Sequence, residues 1–401
     1  MKILFLSPRL PHAAVTSGHV IVHQRIKRLA ARGHEIGVLS FNGGDTSKHV
    51  AEMMPYLREV EIVHTPETPT HAGRVARSLC SRVPPYFWTL RSQEMMRRVG
   101  DMVHRGKYDI ALAEFTEMGQ FLHRNPYLPA VRKIISCHAS LTTSYRKSAA
   151  LHRFSPLGLG CRMALGKLQR FETSLYRDAD RVLVLTTKER MGLLQDAPDL
   201  PIHVIPAGVD SKSFRPGDPY AKEDSVLFTG MFENDANRDA AIWFARSIWP
   251  SIRARHPTYR FSIVGPCPVP EIWNLAKNDP SITVTGLVDD IRPYLKKAKV
   301  FVCPVRLGSG LRVKLLEAMA SGLPVVTTML GAEGIPLQTG DNGIIADRPQ
   351  TMAQYVSLLI EDRALRESMG QRARELVEEK FDWDLGVTQL ETILEDVHRS
   401  R

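Results

Sequence analysis

The densest group of residues that could do chemistry lies between Gly308 and Glu317. Gly308, Ser309 and Gly310 follow the apolar run VFVCP, which is typical of a buried parallel strand. Glycines let a backbone turn tightly and approach a ligand closely. Residues 311–320 contain no Gly or Pro and favour a helix. The sequence therefore predicts a glycine-rich loop before a helix N-terminus, where unpaired N–H groups attract a phosphate.

Charged residues follow this loop directly. Arg312 and Lys314 fall in the first turn of the predicted helix that starts at Leu311, where cations oppose the helix dipole. We therefore expect an anion beside them. Glu317 lies further along, next to Leu316 and between strands that read as buried. An isolated glutamate is usually a solvated surface residue, but this apolar setting favours a role in accepting hydrogen bonds from sugar hydroxyls.

This stretch resembles a known enzyme family. The segments KLLEAMASG (Lys314–Gly322), LPVVTT and GAEG are similar to the nucleotide-sugar site of the family 4 retaining glycosyltransferases of the GT-B fold. The family carries a Glu-x7-Glu motif whose second glutamate binds the ribose, and this glutamate corresponds to Glu317. The first, which faces the transferred sugar, corresponds to Ser309, so half of the motif is present. The resemblance extends more weakly along the whole chain.

The resemblance also implies roles in the first half of the chain. Gly18 matches the glycine that lets the first loop approach the donor phosphates. His138 directly follows the predicted strand Lys133–Cys137 and matches a histidine near the reacting sugar. Without the resemblance, a turn glycine and a structural histidine would be the simpler interpretations.

In the second half, the family's pyrophosphate-binding arginine and lysine are missing after Gly230. Met231 follows that glycine, and Asn237 or Arg238 stands where the lysine would be. Val288 lies in the loop that contacts the nucleotide base in the family. The expected donor-binding residues are Gly18, Gly230, Arg238, Val288, Gly308, Ser309, Gly310, Leu311, Arg312, Lys314 and Glu317, and the expected catalytic residues are His138 and Glu317.

The elements that would position these residues alternate between strands and helices in both halves, which predicts parallel sheets. We therefore expect an α/β protein of two Rossmann-like βαβ domains facing a cleft, the GT-B arrangement. An N-terminal acceptor domain is placed at residues 1–210 and a donor domain at 220–382. By resemblance, a C-terminal helix at 383–401 completes the first domain.

The length and composition agree with a globular protein of two domains. The 401 residues suffice for two domains, and no apolar run reaches the length of a membrane span. The apolar start of the chain is too short for a signal-peptide core, and the five cysteines are scattered, so we expect a cytoplasmic protein. Asp178 and Asp180 formally match a metal-binding DxD motif but predict a turn. His19 and His23 lack a third ligand, so no metal cofactor is expected.

The net charge of +10 is concentrated in the first 200 residues, which carry +12. This imbalance predicts an anionic partner for that half. The segment Leu151–Arg177 mixes apolar residues with Arg153, Arg162, Lys167 and Arg170, a pattern that fits a helix lying on the inner face of an anionic membrane. It fits equally a helix packed on its own domain with a solvated basic face. No nucleic-acid-binding motif accompanies the charge.

These features lead to one functional prediction with two alternatives. We expect a metal-independent retaining glycosyltransferase that moves a sugar from a nucleotide-diphosphate sugar to a glycan, lipid-linked or small-molecule acceptor, in polysaccharide or glycoconjugate synthesis. The missing first glutamate and arginine favour, as the main alternative, a non-catalytic protein that binds a nucleotide sugar or a membrane. A sugar-nucleotide epimerase of similar fold is the other alternative.

Overall fold

The structure is a computed structural model that describes residues 1–11, 18–42, 47–151, 155–308 and 310–400. The chain divides into two compact units. The first unit comprises Met1–Pro206 and Val387–Arg401, and the second comprises Ala207–Gly386. Each unit is built on one parallel sheet, so the predicted α/β class with two parallel-sheet domains is confirmed.

The first unit contains a seven-stranded sheet in the order β3-β2-β1-β4-β5-β6-β7. Its elements are β1 (Lys2–Ser7), α1 (Gly18–Ala31), β2 (Glu35–Phe41), α2 (Ser47–Met53), β3 (Glu59–Val63), α3 (His71–Leu79), α4 (Gln93–Gly106), β4 (Ile110–Glu114), β5 (Arg132–Cys137), α5 (Leu141–Leu151), α6 (Pro156–Arg177), β6 (Arg181–Val184), α7 (Thr187–Asp196) and β7 (Ile202–Val204). Short 3-10 helices lie at Met54–Tyr56, Pro85–Thr89 and Thr116–Phe121.

Both faces of this sheet are covered, which explains why its strands are almost wholly apolar. Along β1, Ile3 and Phe5 pack into the core on one face, and Leu4 and Leu6 pack into the core on the other. This alternation follows from the two-residue period of a strand.

The second unit contains a six-stranded sheet in the order β10-β9-β8-β11-β12-β13. Its elements are β8 (Ser225–Thr229), α8 (Asp235–Ser247), α9 (Trp249–Arg255), β9 (Arg260–Val264), α10 (Pro270–Asn278), β10 (Ile282–Val284), α11 (Arg292–Lys297), β11 (Val300–Cys303), α12 (Val313–Ala320), β12 (Val325–Thr327), β13 (Ile344–Ile345), α13 (Pro349–Glu361) and α14 (Arg363–Lys380). A 3-10 helix lies at Pro219–Ala221.

The last helix, α15 (Trp383–Arg399), begins in the second unit, and its residues from Val387 onward belong to the first. Its buried Leu390 and Leu394 join the core that contains Val22 of α1. Glu391 also forms an ion pair with Arg32 at 2.7 Å, and its Oε1 atom lies within hydrogen-bond distance of His34 Nε2, at 2.8 Å. These contacts attach the C-terminal helix to the sheet formed by the first half of the chain.

Each sheet has one point at which the strand order reverses direction. In the first unit it lies between β1 and β4, and in the second between β8 and β11. The loops that leave the carboxyl ends of these strands diverge and open a crevice, which is where ligands bind in open parallel sheets. The residues that follow β1, β4, β8 and β11 therefore lie where a ligand is expected.

Residues 235–255 form two helices, α8 and α9, because Pro250 lacks an N–H to continue the first. The predicted start of one helix differs from the structure. Helix α12 begins at Val313 rather than Leu311, so Arg312 is its N-cap residue.

The basic segment Leu151–Arg177 forms the end of α5 and all of α6. Leu168 is buried, whereas Leu159 and Met163 are 54% and 79% exposed, so the apolar residues are divided between core and surface. Residues 152–154, including the predicted Arg153, lie outside the described residues. No helix in the described ranges is long and apolar enough to span a bilayer.

Candidate active site

The glycine-rich loop of the second unit joins β11 to α12 at the strand-order reversal. Gly308 and Gly310 have φ angles of +89° and +88°, which side chains rarely tolerate. The Gly310 N–H donates to Glu333 Oε2 at 3.0 Å, which ties the loop to the one after β12. Arg312 donates to the Leu307 carbonyl at 3.2 Å and does not cap α12 with its side chain. Ser309 lies outside the described residues.

Lys314 connects this loop to the start of α8. Its Nζ donates to Asn237 Oδ1 at 2.7 Å and lies 4.6 Å from the centre of the Phe228 ring. A Cβ atom on Gly230 would lie 2.7 Å from Nζ, so glycine lets the ammonium group approach the backbone at this point. Burial lowers the pKa of Lys314 to about 8. The lysine is therefore a desolvated cation held at the point where β8 and β11 end.

Glu317 is the buried acid of α12. It is 6% exposed, and its Oε2 atom has no hydrogen-bond partner among the described residues. Burial raises the pKa of Glu317 to about 7, although the Lys314 charge acts in the opposite direction. Leaving a buried acceptor unsatisfied costs about 1–3 kcal/mol, and more when the group is charged. A hydroxyl-bearing ligand would supply the missing donor.

Glycines also end the neighbouring strands. The Gly265 N–H donates to the Gly286 carbonyl at 3.2 Å, and a Cβ atom on Gly265 would lie 2.0 Å from the Gly230 carbonyl oxygen. The backbones that follow β8, β9 and β10 thus pack directly against one another, with no side chain between them. Val288 follows this row, and Val288 and Leu311 are partly buried against the core. Val288 follows β10 and Leu311 follows β11, so both lie in loops that leave the carboxyl end of the sheet, as Gly230 does after β8.

Arg238 was predicted as a donor-binding residue at or next to the position of the family's lysine. In the structure its guanidinium forms an ion pair with Asp235 at 2.5 Å, one turn back on α8. The neighbouring Asn237 is the residue that reaches Lys314. The geometry therefore brings together Gly230, Asn237 and Lys314, and holds Arg238 in a local pair. Helix periodicity explains the difference, because adjacent residues point about 100° apart.

A second group lies in the first unit, after β1, β4 and β5. His138 stacks on Phe115 with ring centroids 4.0 Å apart, and Phe115 has a φ of +71°, which is rare for a bulky residue. A Cβ atom on Gly18 would lie 2.7 Å from the Phe115 ring and 2.9 Å from His138 Nδ1. The structure thus brings the predicted Gly18 and His138 together at the reversal of the first sheet.

His138 is held by a buried chain of charged groups that the sequence did not predict. Its Nε2 lies 2.7 Å from Glu114 Oε2, and Arg25 Nη1 donates to Glu114 Oε1 at 2.9 Å. Arg25 also donates to Ser136 Oγ at 2.9 Å. The available signal was an acid at the end of the apolar strand IALAE and an arginine on the apolar face of α1.

The charges in this chain have clear consequences for protonation. Burial opposes ionisation of Glu114, but the Arg25 charge and the His138 hydrogen bond outweigh burial and lower the pKa of Glu114 to about 2. Burial lowers the pKa of His138, partly offset by Glu114. A neutral His138 therefore donates from Nε2 to the carboxylate. Its Nδ1, which has no hydrogen-bond partner among the described residues, carries the lone pair beside Gly18.

The residues considered as metal ligands have structural contacts. Asp180 accepts a hydrogen bond from the Lys133 N–H at 2.7 Å, and Asp178 forms an ion pair with the Lys133 side chain at 3.2 Å. His23 lies 3.7 Å from Glu52. Across the described ranges, no group of three His, Cys, Asp or Glu residues is arranged to hold a metal ion.

Comparison with known families matches both units. The model described as Glycosyltransferase Family 4 matches residues 18–213, and the one described as Glycosyl transferases group 1 matches residues 223–362. The chain belongs to the family 4, group 1 type of glycosyltransferases with the GT-B fold. The glycine-rich loop, Lys314 and Glu317 all lie in the part matched by the group 1 model, and Gly18 and His138 lie in the part matched by the family 4 model.

Curated relatives of this glycosyltransferase cover part of its length. The phosphatidyl-myo-inositol mannosyltransferase of Mycolicibacterium smegmatis is 31% identical over 48% of this chain and 51% of its own. A GDP-mannose-dependent alpha-(1-6)-phosphatidylinositol monomannoside mannosyltransferase of Mycobacterium tuberculosis is 28% identical over 49% of this chain and 56% of its own. The chain spans about half the length of the curated relatives it matches.

Solved structures match the glycosyltransferase over its full length at low identity. Sucrose-phosphate synthase from Thermosynechococcus elongatus gives a TM-score of 0.73 at 18% identity, covering 100% of both chains. The Anabaena protein HepE, in complex with UDP and glucose, gives 0.70 at 15% identity, covering 99% of this chain and 100% of that one. At these identities the likeness shows the fold.

Proposed function

We propose that this protein is a retaining glycosyltransferase that transfers a sugar from a nucleotide-diphosphate sugar to a hydroxyl of an acceptor. One observation carries the proposal: a desolvated lysine and a glutamate with an unsatisfied carboxyl oxygen share one turn of α12, behind a glycine-rich loop. Lys314 suits a phosphate, and Glu317 suits the hydroxyl groups of a ribose. Both halves of a nucleotide-diphosphate ligand thus have a matching group.

The chemistry follows from where charge develops. As the bond between the sugar C1 and the phosphate oxygen breaks, its electron pair passes to the nucleoside diphosphate, whose negative charge increases. Lys314, Arg312 and the uncapped N-terminus of α12 would stabilise this charge without reorganising, which is the main source of catalysis at such sites. The acceptor oxygen bonds to C1 on the same face, and its proton passes to the departing phosphate.

His138 has a different role in this proposal. Its Nδ1 lone pair accepts a hydrogen bond from a sugar hydroxyl, because Glu114 holds the proton on Nε2. The Phe115 ring fixes the plane of the imidazole. Gly18 leaves the space that a hydroxyl needs to reach Nδ1.

The names of the relatives suggest which donors to test. They include a GDP-mannose-dependent enzyme, an N-acetyl-glucosaminyl L-malate synthase and a protein solved with UDP-glucose. We propose GDP-mannose, UDP-N-acetylglucosamine and UDP-glucose as first candidates. An acceptor with a phosphate or lipid group agrees with the basic first half of the chain and with the phosphatidylinositol substrates named for two relatives.

The experiment has two steps. Thermal melting with each candidate donor identifies the one that stabilises the protein, since only the folded state binds it. That donor is then supplied with candidate acceptors, the released nucleoside diphosphate is quantified, and the anomeric configuration of the product is determined by NMR. Release of nucleoside diphosphate with retained configuration supports the proposal, and an inverted product overturns the retaining mechanism.

The alternative is a non-catalytic nucleotide-sugar-binding protein, which is favoured by Ser309 at the position of the family's first glutamate and by Met231 after Gly230. The same assay decides between the two. Stabilisation by a donor that is never turned over, with any acceptor, would support the binding protein. Formation of an isomerised nucleotide sugar without an acceptor would identify an epimerase instead.

A further inference from the structure

A pocket of about 660 Å³ lies in the first unit, on residues to which the proposed function gives no role. We call it the basic pocket. The residues that define it here are Arg82, Arg91, Gln120, His123, Arg124, Lys167, Arg170 and Phe171. Its volume is within the range of small-molecule sites, which is about 300–1,000 Å³. Its cationic side chains come from α6 and from the segments next to the 3-10 helices Pro85–Thr89 and Thr116–Phe121.

The lining of the basic pocket has an excess of positive charge. Its lining contains five Lys or Arg side chains and no Asp or Glu. Within the described ranges, Arg82, Arg91, Arg124 and Arg170 form no ion pair. Elsewhere in the same unit, Arg105 pairs with Glu59 and Glu61, and Arg146 pairs with Asp196. Several like charges at one place create a positive potential, so the arrangement favours an anionic ligand.

The floor of the basic pocket is ordered by contacts within the protein. Gln120 is 1% exposed, and its Oε1 accepts a hydrogen bond from Arg91 at 3.5 Å. Lys167 donates to the Ser78 and Ser81 carbonyls, which fixes its ammonium group. The guanidinium of Arg91 is half-buried beside the Trp88 ring, at 6.0 Å from its centre. These side chains need little reorganisation to bind a ligand.

The apolar wall makes the basic pocket more than a charged surface. The Phe171 ring packs against Phe87 with centroids 4.7 Å apart and forms part of the lining. The Nδ1 atom of His123, another lining residue, lies 3.1 Å from Asp178 Oδ2. A ligand would thus meet a carbon surface on one side and several N–H donors on the other. This combination suits a phosphate attached to a small organic group.

We propose that the basic pocket is a binding site for a phosphate-bearing ligand, distinct from the glycine-rich loop of the second unit. Arginine provides planar paired donors that match phosphate oxygens, and Arg91 is the inner residue of the set. The ligand is a phosphate ester of about the size of glycerol phosphate, either free or as the headgroup of an anionic lipid. Binding here does not depend on a nucleotide sugar.

The first experiment titrates glycerol 1-phosphate, inorganic phosphate and neutral glycerol into the full-chain protein by calorimetry at low salt. Saturable binding of both phosphates and none of glycerol is expected. Arg91→Gln and Arg170→Gln should each weaken glycerol 1-phosphate binding about tenfold or more, since each removes a hydrogen bond between charged groups. Circular dichroism melting checks the fold, and the exposed Arg170 carries the test if Arg91→Gln does not fold.

Two matched variants separate the basic pocket from general surface charge and from the nucleotide site. Arg162→Gln removes the same charge from an exposed position on α6 outside the basic pocket, and Lys314→Gln removes a charge from the glycine-rich loop. Both should bind glycerol 1-phosphate within about twofold of the unchanged protein. If Arg162→Gln weakens glycerol 1-phosphate binding equally, the effect is due to general surface charge. If only Lys314→Gln weakens it, the phosphate binds at the nucleotide site. Either result, or the absence of saturable binding, overturns the proposal.

Sedimentation with vesicles distinguishes the two ligand sources. If phosphatidylglycerol vesicles bind the protein, phosphatidylcholine vesicles do not, and Arg91→Gln and Arg170→Gln abolish binding while Arg162→Gln does not, the ligand is a lipid headgroup. If vesicle binding is absent or independent of the basic pocket while glycerol 1-phosphate binding depends on it, the ligand is a free phosphate ester. Both outcomes support the phosphate site.

Discussion

Replacing Glu317 by glutamine should stabilise the second unit at neutral and alkaline pH while weakening nucleotide binding. The carboxyl is buried, and its Oε2 lacks a partner among the described residues. The folded protein therefore favours the protonated form, with a pKa of about 7 against an ordinary value of 4.5. Glutamine keeps the shape of the neutral acid and cannot ionise.

The magnitude follows from this pKa difference. A group whose pKa is raised by folding stabilises the folded state fully below its unfolded value, and loses that contribution as pH rises through its folded value. At about 1.4 kcal/mol per unit, the free energy of unfolding should fall by about 2.5 kcal/mol between pH 5 and pH 8. For a unit of this size that corresponds to roughly 5–10 °C in melting temperature.

The assay is thermal melting of the unchanged protein and Glu317→Gln from pH 5 to pH 8, without ligand. We expect the melting temperature of the glutamine variant to rise relative to that of the unchanged protein as pH rises through about 7. Exposed Glu379 on α14 provides the control, and Glu379→Gln should leave the pH dependence unchanged. The same samples are then melted with UDP and with GDP. The stabilising nucleotide should bind Glu317→Gln about 10- to 150-fold more weakly.

Two results would refute the reasoning. Parallel melting curves for Glu317→Gln and the unchanged protein across the pH range would mean that the carboxyl is not desolvated. Unchanged affinity for the nucleoside diphosphate would mean that Glu317 does not bind the ribose. If Glu317 binds the ligand, Glu317→Gln should gain stability and lose affinity together, because the ligand would supply the hydrogen-bond donor that the buried carboxylate lacks.

Three further predictions concern the phosphate-binding cations of the second unit and the buried ion pair of the first. Lys314→Gln or Arg312→Ala should raise the KM for the donor about tenfold or more and leave the KM for the acceptor nearly unchanged in steady-state kinetics; an effect on the acceptor alone would contradict the assignment. Activity should persist in EDTA, because the phosphate charge is met by these cations; full loss restored by Mg²⁺ or Mn²⁺ would contradict it. Glu114→Gln should destabilise the first unit by about 3–5 kcal/mol in melting experiments near pH 7, since Arg25 loses its buried partner. Because folding lowers the pKa of Glu114 to about 2, that penalty should shrink as pH falls from about 4.5 towards 2; a penalty independent of pH would refute the role assigned to the ion pair.

The sequence alone determined the features that depend on neighbouring residues. The apolar run VFVCP indicated a buried parallel strand, and Gly308 and Gly310 indicated a tight turn that can approach a ligand closely. The burial of Glu317 was also predictable, because it lies within an apolar helix between two apolar strands. These properties follow from local periodicity and from the backbone freedom of glycine, which one segment of chain contains by itself.

Only the tertiary structure decided which distant residues meet. His138, Glu114 and Arg25 come from the end of β5, from β4 and from α1, and they are joined because the first sheet places β1 beside β4 and β4 beside β5. Asn237 meets Lys314, 77 residues away, because β8 and β11 are adjacent in the second sheet. The order of strands in a parallel sheet is set by packing of the whole unit. No local pattern encodes it, so a buried ion pair or the partner of a lysine emerges only when the chain is folded.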